Sequence, residues 1–194
     1  MHSVGTDAAS VEKDLVGGRL TCPDCGSALR PFGYSIEREL RLLDRSEQRR
    51  LRRSICRACG VTHVLIPADM LIRRRDGVEV IGAALTAKAR GESHRAIATR
   101  LGRRASTVRG WLRRFAARAD ALREHFTRWA QLLDSGHDRL FAGGSALCDA
   151  VEAIGVLGIV AVRRFGPRRP WLLASVVTGG GLLCNTSSPW SEPV

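Results

Sequence analysis

The spacing of apolar positions divides this chain into stretches of different character. Residues 1–19 are largely polar and close on Gly17-Gly18, which predicts a flexible leader with at most a turn of helix between Val11 and Val16. From Leu20 to Pro67 no helical period is visible. Two Cys-x-x-Cys turns flank a polar, arginine-heavy stretch from Glu37 to Arg53, and Tyr34-Ser35-Ile36 and Ser54-Ile55 read as short strands. The expectation is a small cross-braced module over residues 20–67.

After the boundary Arg73-Arg74-Arg75-Asp76-Gly77 the period becomes helical, with Val80, Ile81, Ala84 and Leu85 on one face. Glycines 77, 91 and 102 punctuate three helices. Trp111, Phe115, Ala119, Leu122, Phe126, Trp129 and Leu133 follow at intervals of three or four residues, which predicts that the third helix runs on unbroken to Leu133 within a domain spanning 76–133. This stripe could seal a coiled-coil dimer, but packing against the apolar tail is the simpler use of it.

Past Asp134-Ser135-Gly136 lies a tail, residues 134–194, with a helix from about Ser145 to Phe165 stopped by Gly166-Pro167. A second helix starts at Pro170-Trp171 and is stopped by Gly179-Gly180-Gly181. The longest uncharged run there, Ala153 to Val162, is well short of the roughly 20 residues a membrane span requires, so no membrane partner is expected. The fold class expected is mainly α: a small N-terminal zinc ribbon of short β-strands, a homeodomain-like helix-turn-helix, and a C-terminal helical tail.

Charge sharpens this picture. The chain carries 31 Lys+Arg against 19 Asp+Glu, a formal +12. Residues 1–66 hold 11 basic and 8 acidic side chains, residues 67–133 hold 15 and 6, and residues 134–194 hold 5 and 5. The excess therefore sits on the helical middle third and points to a polyanionic partner. Only Lys13 and Lys88 are lysines. Arginine's planar fork suits phosphates and guanine edges, although a GC-rich genome also favours it.

Cys22-Pro23-Asp24-Cys25-Gly26 and Cys56-Arg57-Ala58-Cys59-Gly60 are two Cys-x-x-Cys-Gly turns, the arrangement that presents four thiolates to one structural Zn2+. The glycine after each second cysteine allows the positive φ such a turn needs. Four cysteines close the tetrahedron, so the metal would stabilise the fold and leave no open position for catalysis. A redox pair of the Cys-Pro-x-Cys kind would need its cysteines opening a helix in a βαβ unit, which the pattern lacks. His63, four residues after Cys59, could replace one thiolate, but a histidine in the apolar stretch Val61 to Ile66 reads rather as a packed or surface residue outside the metal site. Cys148 and Cys184 read as small buried hydrophobes. The N-terminus has no apolar signal-peptide core, so a reducing cytoplasm is expected.

The segment from Ser93 to Leu112 meets the demands of a helix-turn-helix. Ala98 is small where two helices touch, Gly102 makes the turn, and Ile97, Leu101, Val108 and Trp111 lock the pair. Ser93 is a good N-cap for the first helix, and Ser106 or Thr107 for the second. The outward positions Ser106, Thr107, Arg109, Gly110 and Arg113, with Arg103 and Arg104 in the turn, are the expected DNA-binding residues. The alternative is an ordinary helical hairpin with solvated arginines.

These motifs, with the linking run Cys56-Arg57-Ala58-Cys59-Gly60 to Val64-Leu65-Ile66-Pro67, resemble the zinc-ribbon and helix-turn-helix front ends of bacterial insertion-element transposases. They are also similar to small actinobacterial proteins with the same front end and a tail like Pro170-Trp171-Leu172-Leu173 through Thr178-Gly179-Gly180. Such families place an aliphatic residue just after the turn glycine and a serine two after it. Here Arg103 and Arg104 stand there, which implies weaker hairpin packing and weaker helix capping. A whole transposase would need an RNase H-like domain with three acidic metal ligands. The acids after Leu133, namely Asp134, Asp138, Asp149, Glu152 and Glu192, lie on a linker, a helix and a terminus, with no strands to gather them.

The expected function is therefore binding of double-stranded DNA by a cytoplasmic, nucleoid-associated protein. It would act as a transcription regulator or as a DNA-recognition accessory of a transposase or other mobile-element protein. An interaction adapter with a vestigial helix-turn-helix is the alternative. An enzyme is not expected, because no phosphate loop, activated nucleophile or open metal site appears.

Overall fold

The computed structural model describes residues 2–135 and 144–184, so Asp138, Glu192 and Gly136 lie outside the described residues. Among the described residues six strands precede six of seven helices, a mixed α/β structure where a mainly α one was expected. β1 (His2–Val4) pairs in parallel with β6 (Thr62–Pro67), β6 pairs antiparallel with β5 (Arg52–Cys56), and β5 with β2 (Leu29–Tyr34). The sheet order is β1-β6-β5-β2, and β3 (Arg38–Arg41) and β4 (Ser46–Arg49) form a separate hairpin.

The expected leader carries regular structure. Residues 2–4 supply an edge strand, and α1 (Ala8–Val16) is capped by the Asp7 carboxylate, which accepts from the Ala9 and Ser10 amides. Its Val11 and Leu15 lie against Cys22, Leu29, Cys56 and Leu65, and Arg52 donates twice to Glu12 across the interface at 2.7 and 2.9 Å. A four-strand sheet this small has one face to bury, and the amphipathic N-terminal segment covers it.

The polar stretch also departs from its expected form. Residues 38–49 make the β3–β4 hairpin, which closes a second small core of Leu40, Leu51, Ile66 and Met70, whereas Ser35 and Ile36 stand outside any strand.

α2 (Val78–Ala89), α3 (His94–Arg100) and α4 (Ala105–Ala116) form a three-helix unit, and α5 (Ala119–Leu133), α6 (Ala146–Phe165) and α7 (Pro170–Val177) complete the C-terminal half. The extended third helix is interrupted: Ala117 caps α4, and Arg118, at φ −131° and ψ 14°, leaves the helical region before α5 starts. The apolar stripe survives the break, with Phe115, Ala119, Leu122 and Phe126 all buried. The bend sets α5 along α6, and the Arg118 guanidinium donates to the Cys184 carbonyl at 2.8 Å.

One hydrophobic core runs through α2 to α7 and on to Leu182 and Leu183, so the tail belongs to the same body as the helix-turn-helix. Cys148 and Cys184 are half-buried, less enclosed than expected, and the Cys148 thiol faces the Ala89 carbonyl at 3.6 Å. No helix among the described residues is long and apolar enough to cross a membrane.

The tail docks through a flat contact: a Cβ placed on Gly82 of α2 would lie 2.2 Å from the Trp171 indole of α7. Gly82→Val should therefore destabilise the helical body by at least about 3 kcal/mol, the upper range for forcing extra methyls into a packed core. Urea unfolding followed by tryptophan fluorescence measures this.

Candidate functional site: a cysteine cluster bracketed to a helix-turn-helix

Two turns of matching construction carry the cysteines. The Gly26 amide donates to the Cys22 carbonyl and the Gly60 amide to that of Cys56, each at 2.8 Å, with φ of +73° and +74° at the two glycines. The Cys22 and Cys56 amides donate onward to the Ser27 and Val61 carbonyls, and both turns hang from the same end of the small sheet, where Leu29 of β2 pairs with Cys56 of β5. The Cys25 and Cys56 sulfurs stand 3.4 Å apart, those of Cys22 and Cys59 3.8 Å, and all four lie within 4.8 Å of one another. A tetrahedral metal with bonds near 2.3 Å would need sulfur–sulfur edges of about 3.8 Å, so the set fits such an ion.

Electrostatics within the cluster agree with a shared ligand set. Hydrogen bonds from the Ser27 amide and hydroxyl, and from Cys56, lower Cys25 to about 6. At Cys59 the Val61 amide favours the thiolate, but burial and the three neighbouring sulfurs prevail and push it up to about 12. Four thiolates cannot ionise together at this separation without a cation to neutralise them.

His63 is buried, as a packed residue would be, but it adjoins the cluster: its Nε2 lies 3.4 Å from the Cys22 sulfur and 3.9 Å from the Asp24 carboxylate. Burial lowers its pKa and keeps the imidazole neutral. Cys22, Asp24 and His63 form a second group able to offer ligands to a metal.

The helix-turn-helix begins at Ser93, whose hydroxyl accepts from the Ala96 amide at 3.2 Å. Gly102, at φ +61°, turns the chain, and Ile97, Ala98, Val108 and Trp111 are buried where α3 meets α4. Leu101 packs against the same core while remaining half-exposed. The second helix is not capped by Ser106 or Thr107. Its N-cap is Arg104, which makes no side-chain capping bond, and the two hydroxyl residues fall in the first turn.

The predicted DNA-binding residues separate into two groups. Arg104, Ser106, Arg109 and Arg113 are exposed, Thr107 and Gly110 are half-buried, and α4 carries no acidic residue. Arg104, Arg109 and Arg113 have no ion-pair partner among the described residues. Arg103 departs from expectation. Its side chain is 14% exposed and its guanidinium is bound by Asp76, with further bonds to the Leu42 and Leu101 carbonyls at 3.0 Å each.

Asp76 is itself 4% exposed and accepts from Arg41 of β3 at 2.7 Å, so one carboxylate joins the hairpin to the turn of the helix-turn-helix. Backbone bonds run alongside, from the Arg41 amide to Arg75 and from the Gly77 amide to Arg41. Sequence reasoning missed this role. The signal was the unusual arginine after the turn glycine together with an aspartate just before the first helix.

Residues 78–123 match a family described as a homeodomain-like domain, and the match covers α2, α3, α4 and the first residues of α5. No curated protein and no solved structure matches the chain significantly.

Two outcomes follow from this geometry. Stripping metal with a strong chelator, or the substitution Cys56→Ser, should abolish the sheet signals of residues 2–67 in an amide NMR spectrum while the helical resonances persist, because the cluster ties the strands together. Asp76→Ala should cost about 3 kcal/mol in urea unfolding, the low end for breaking a buried ion pair, since Arg41 still reaches water.

Proposed function

We propose that this protein binds double-stranded DNA through its helix-turn-helix, with α4 entering the major groove. The observation that carries this reading is the outer face of α4. Ser106, Arg109 and Arg113 recur at helical spacing, Arg104 precedes them, and none of these arginines is held by a carboxylate among the described residues. Unengaged arginines aligned on one helix supply both phosphate attraction and guanine recognition. The uncapped first turn leaves backbone amides free to face a phosphate, and half-buried Gly110 lets the helix come close to the groove.

The cysteine cluster is read as a structural zinc site. Zinc is favoured by four thiolate donors in two tight turns, and its complete ligand set argues for a binding protein rather than an enzyme. Cys22, Cys25, Cys56 and Cys59 would hold the ion. The protein's own contribution is orientation: the cluster fixes the sheet, the sheet carries β3 beside the start of α2, and Asp76 connects β3 to the turn before α4. In the nucleoid such a protein would serve as a transcription regulator or as a DNA-recognition accessory to a mobile element.

Fluorescence-anisotropy titration against pooled duplex DNA across a salt series tests this. The double variant Arg109→Ala/Arg113→Ala should lose at least about tenfold in affinity for its selected sequence, and the salt slope should fall by up to about two units if both side chains meet phosphates. Duplex binding that is weak and untouched by the substitutions would overturn the reading. It would favour instead an adapter acting through the exposed Ile159, Val162 and Phe165 of α6.

A further inference from the structure

The sheet carries a second basic surface, of a different kind from α4. β2 is an edge strand, and after Leu29 every residue to Tyr34 is exposed. Phe32 is 45% exposed and Tyr34 53%, a costly arrangement for aromatic side chains on an unprotected strand edge. Between Pro31 and Tyr34 the pairing with β5 slips by a residue and Gly33 takes φ +72°, the mark of a β-bulge that re-aims the side chains beside it.

Arginines stand over both rings: Arg53 lies 5.3 Å from the centre of Phe32, and Arg52 and Arg50 lie 4.6 and 5.7 Å from that of Tyr34. These arginines are not equivalent. Arg52 is held by Glu12 and by the Gly33 carbonyl, so it orients the Tyr34 ring. Arg50 and Arg53, with exposed Arg30 on the same strand pair, have no carboxylate partner among the described residues. The surface therefore joins oriented flat groups to positive charge that no carboxylate among the described residues neutralises.

We infer that the Phe32–Tyr34 edge of the sheet is a binding surface for unpaired bases of a nucleic-acid strand. Arg52 and Arg53 are consecutive on β5 and face opposite sides of the sheet, which puts Tyr34 and Phe32 on either side of its edge; an unpaired base would stack on each ring while Arg30, Arg50 and Arg53 face the phosphates. Duplex DNA does not fit this surface, because its bases are stacked inside the helix and offer no open π-face to a side chain. Protecting a strand edge requires arginines alone, not exposed rings beneath them. The inference stands apart from the reading of α4, since the two surfaces share no residue.

The test uses the full-length, metal-loaded protein and two fluorescent probes: a blunt duplex and the same duplex carrying a single-stranded tail of about 15 nucleotides, within the span such sites cover. The tailed probe should bind at least about tenfold more tightly, and Phe32→Ala/Tyr34→Ala should erase that advantage while leaving blunt-duplex affinity unchanged. The conservative exchange Phe32→Tyr/Tyr34→Phe should retain it. The Arg109→Ala/Arg113→Ala variant should keep its preference for the tail while losing duplex affinity, which separates failure of one surface from failure of the other. No advantage for the tail, an advantage that survives loss of both rings, or an equal loss on both probes would each overturn the inference.

Discussion

The arrangement of this protein depends on a single buried carboxylate. Asp76 sits where the sheet-rich half gives way to the helical half, nearly withdrawn from water, and is shared by Arg41 and Arg103. Removing a carboxylate from water is expensive unless its charge is met and its lone pairs are used, and here two guanidinium groups do both. Carbonyls of Leu42 and Leu101 accept further Arg103 hydrogens, so the bracket also fixes the loop after β3 and the turn before α4. A displacement of either half would leave charge stranded. The halves therefore hold one relative orientation, and the cysteine knot is coupled to the angle at which α4 is presented.

Arginine accordingly serves two purposes in one chain. Arg41, Arg49, Arg52 and Arg103 lie against Asp76, Asp69, Glu12 and Asp76 respectively and act as struts. Arg104, Arg109 and Arg113 on one side, and Arg30, Arg50 and Arg53 on the other, have no carboxylate partner among the described residues. Net charge alone cannot distinguish these classes, because it sums over partners. Three-dimensional pairing divides a uniform excess into framework and two working surfaces.

What the sequence disclosed follows this division. Features governed by neighbours in the chain were legible: the Cys-x-x-Cys-Gly turns, the Ser93 cap, the turn at Gly102, the stops at Gly166 and Gly179, and the buried faces of α2 and α4. Features set by partners distant in sequence were not. The segment before Gly17 looks like a solvated leader until β6 and Leu29 supply the surfaces it covers. The unbroken period from Trp111 to Leu133 concealed the bend at Arg118, since two helices meeting at an angle can keep one stripe buried against a common neighbour. Arg103 looked like a reader of DNA because Asp76 lies far enough back in the chain to escape any local pattern.

The fit of Trp171 against Gly82 also bears on the order in which this protein acquires its structure. α2 opens the helix-turn-helix domain, yet one of its faces is completed by an indole supplied by the last helix described. Contacts of such long sequence separation carry a large loop-closure entropy and slow the approach to the native state. During synthesis, when the helix-turn-helix first leaves the ribosome, α2 still presents an uncovered apolar groove, and it stays uncovered until much of the remaining chain has emerged. The nascent domain is thus born incomplete, and α6 and α7 act as an intramolecular lid that closes only once Trp171 has been synthesised.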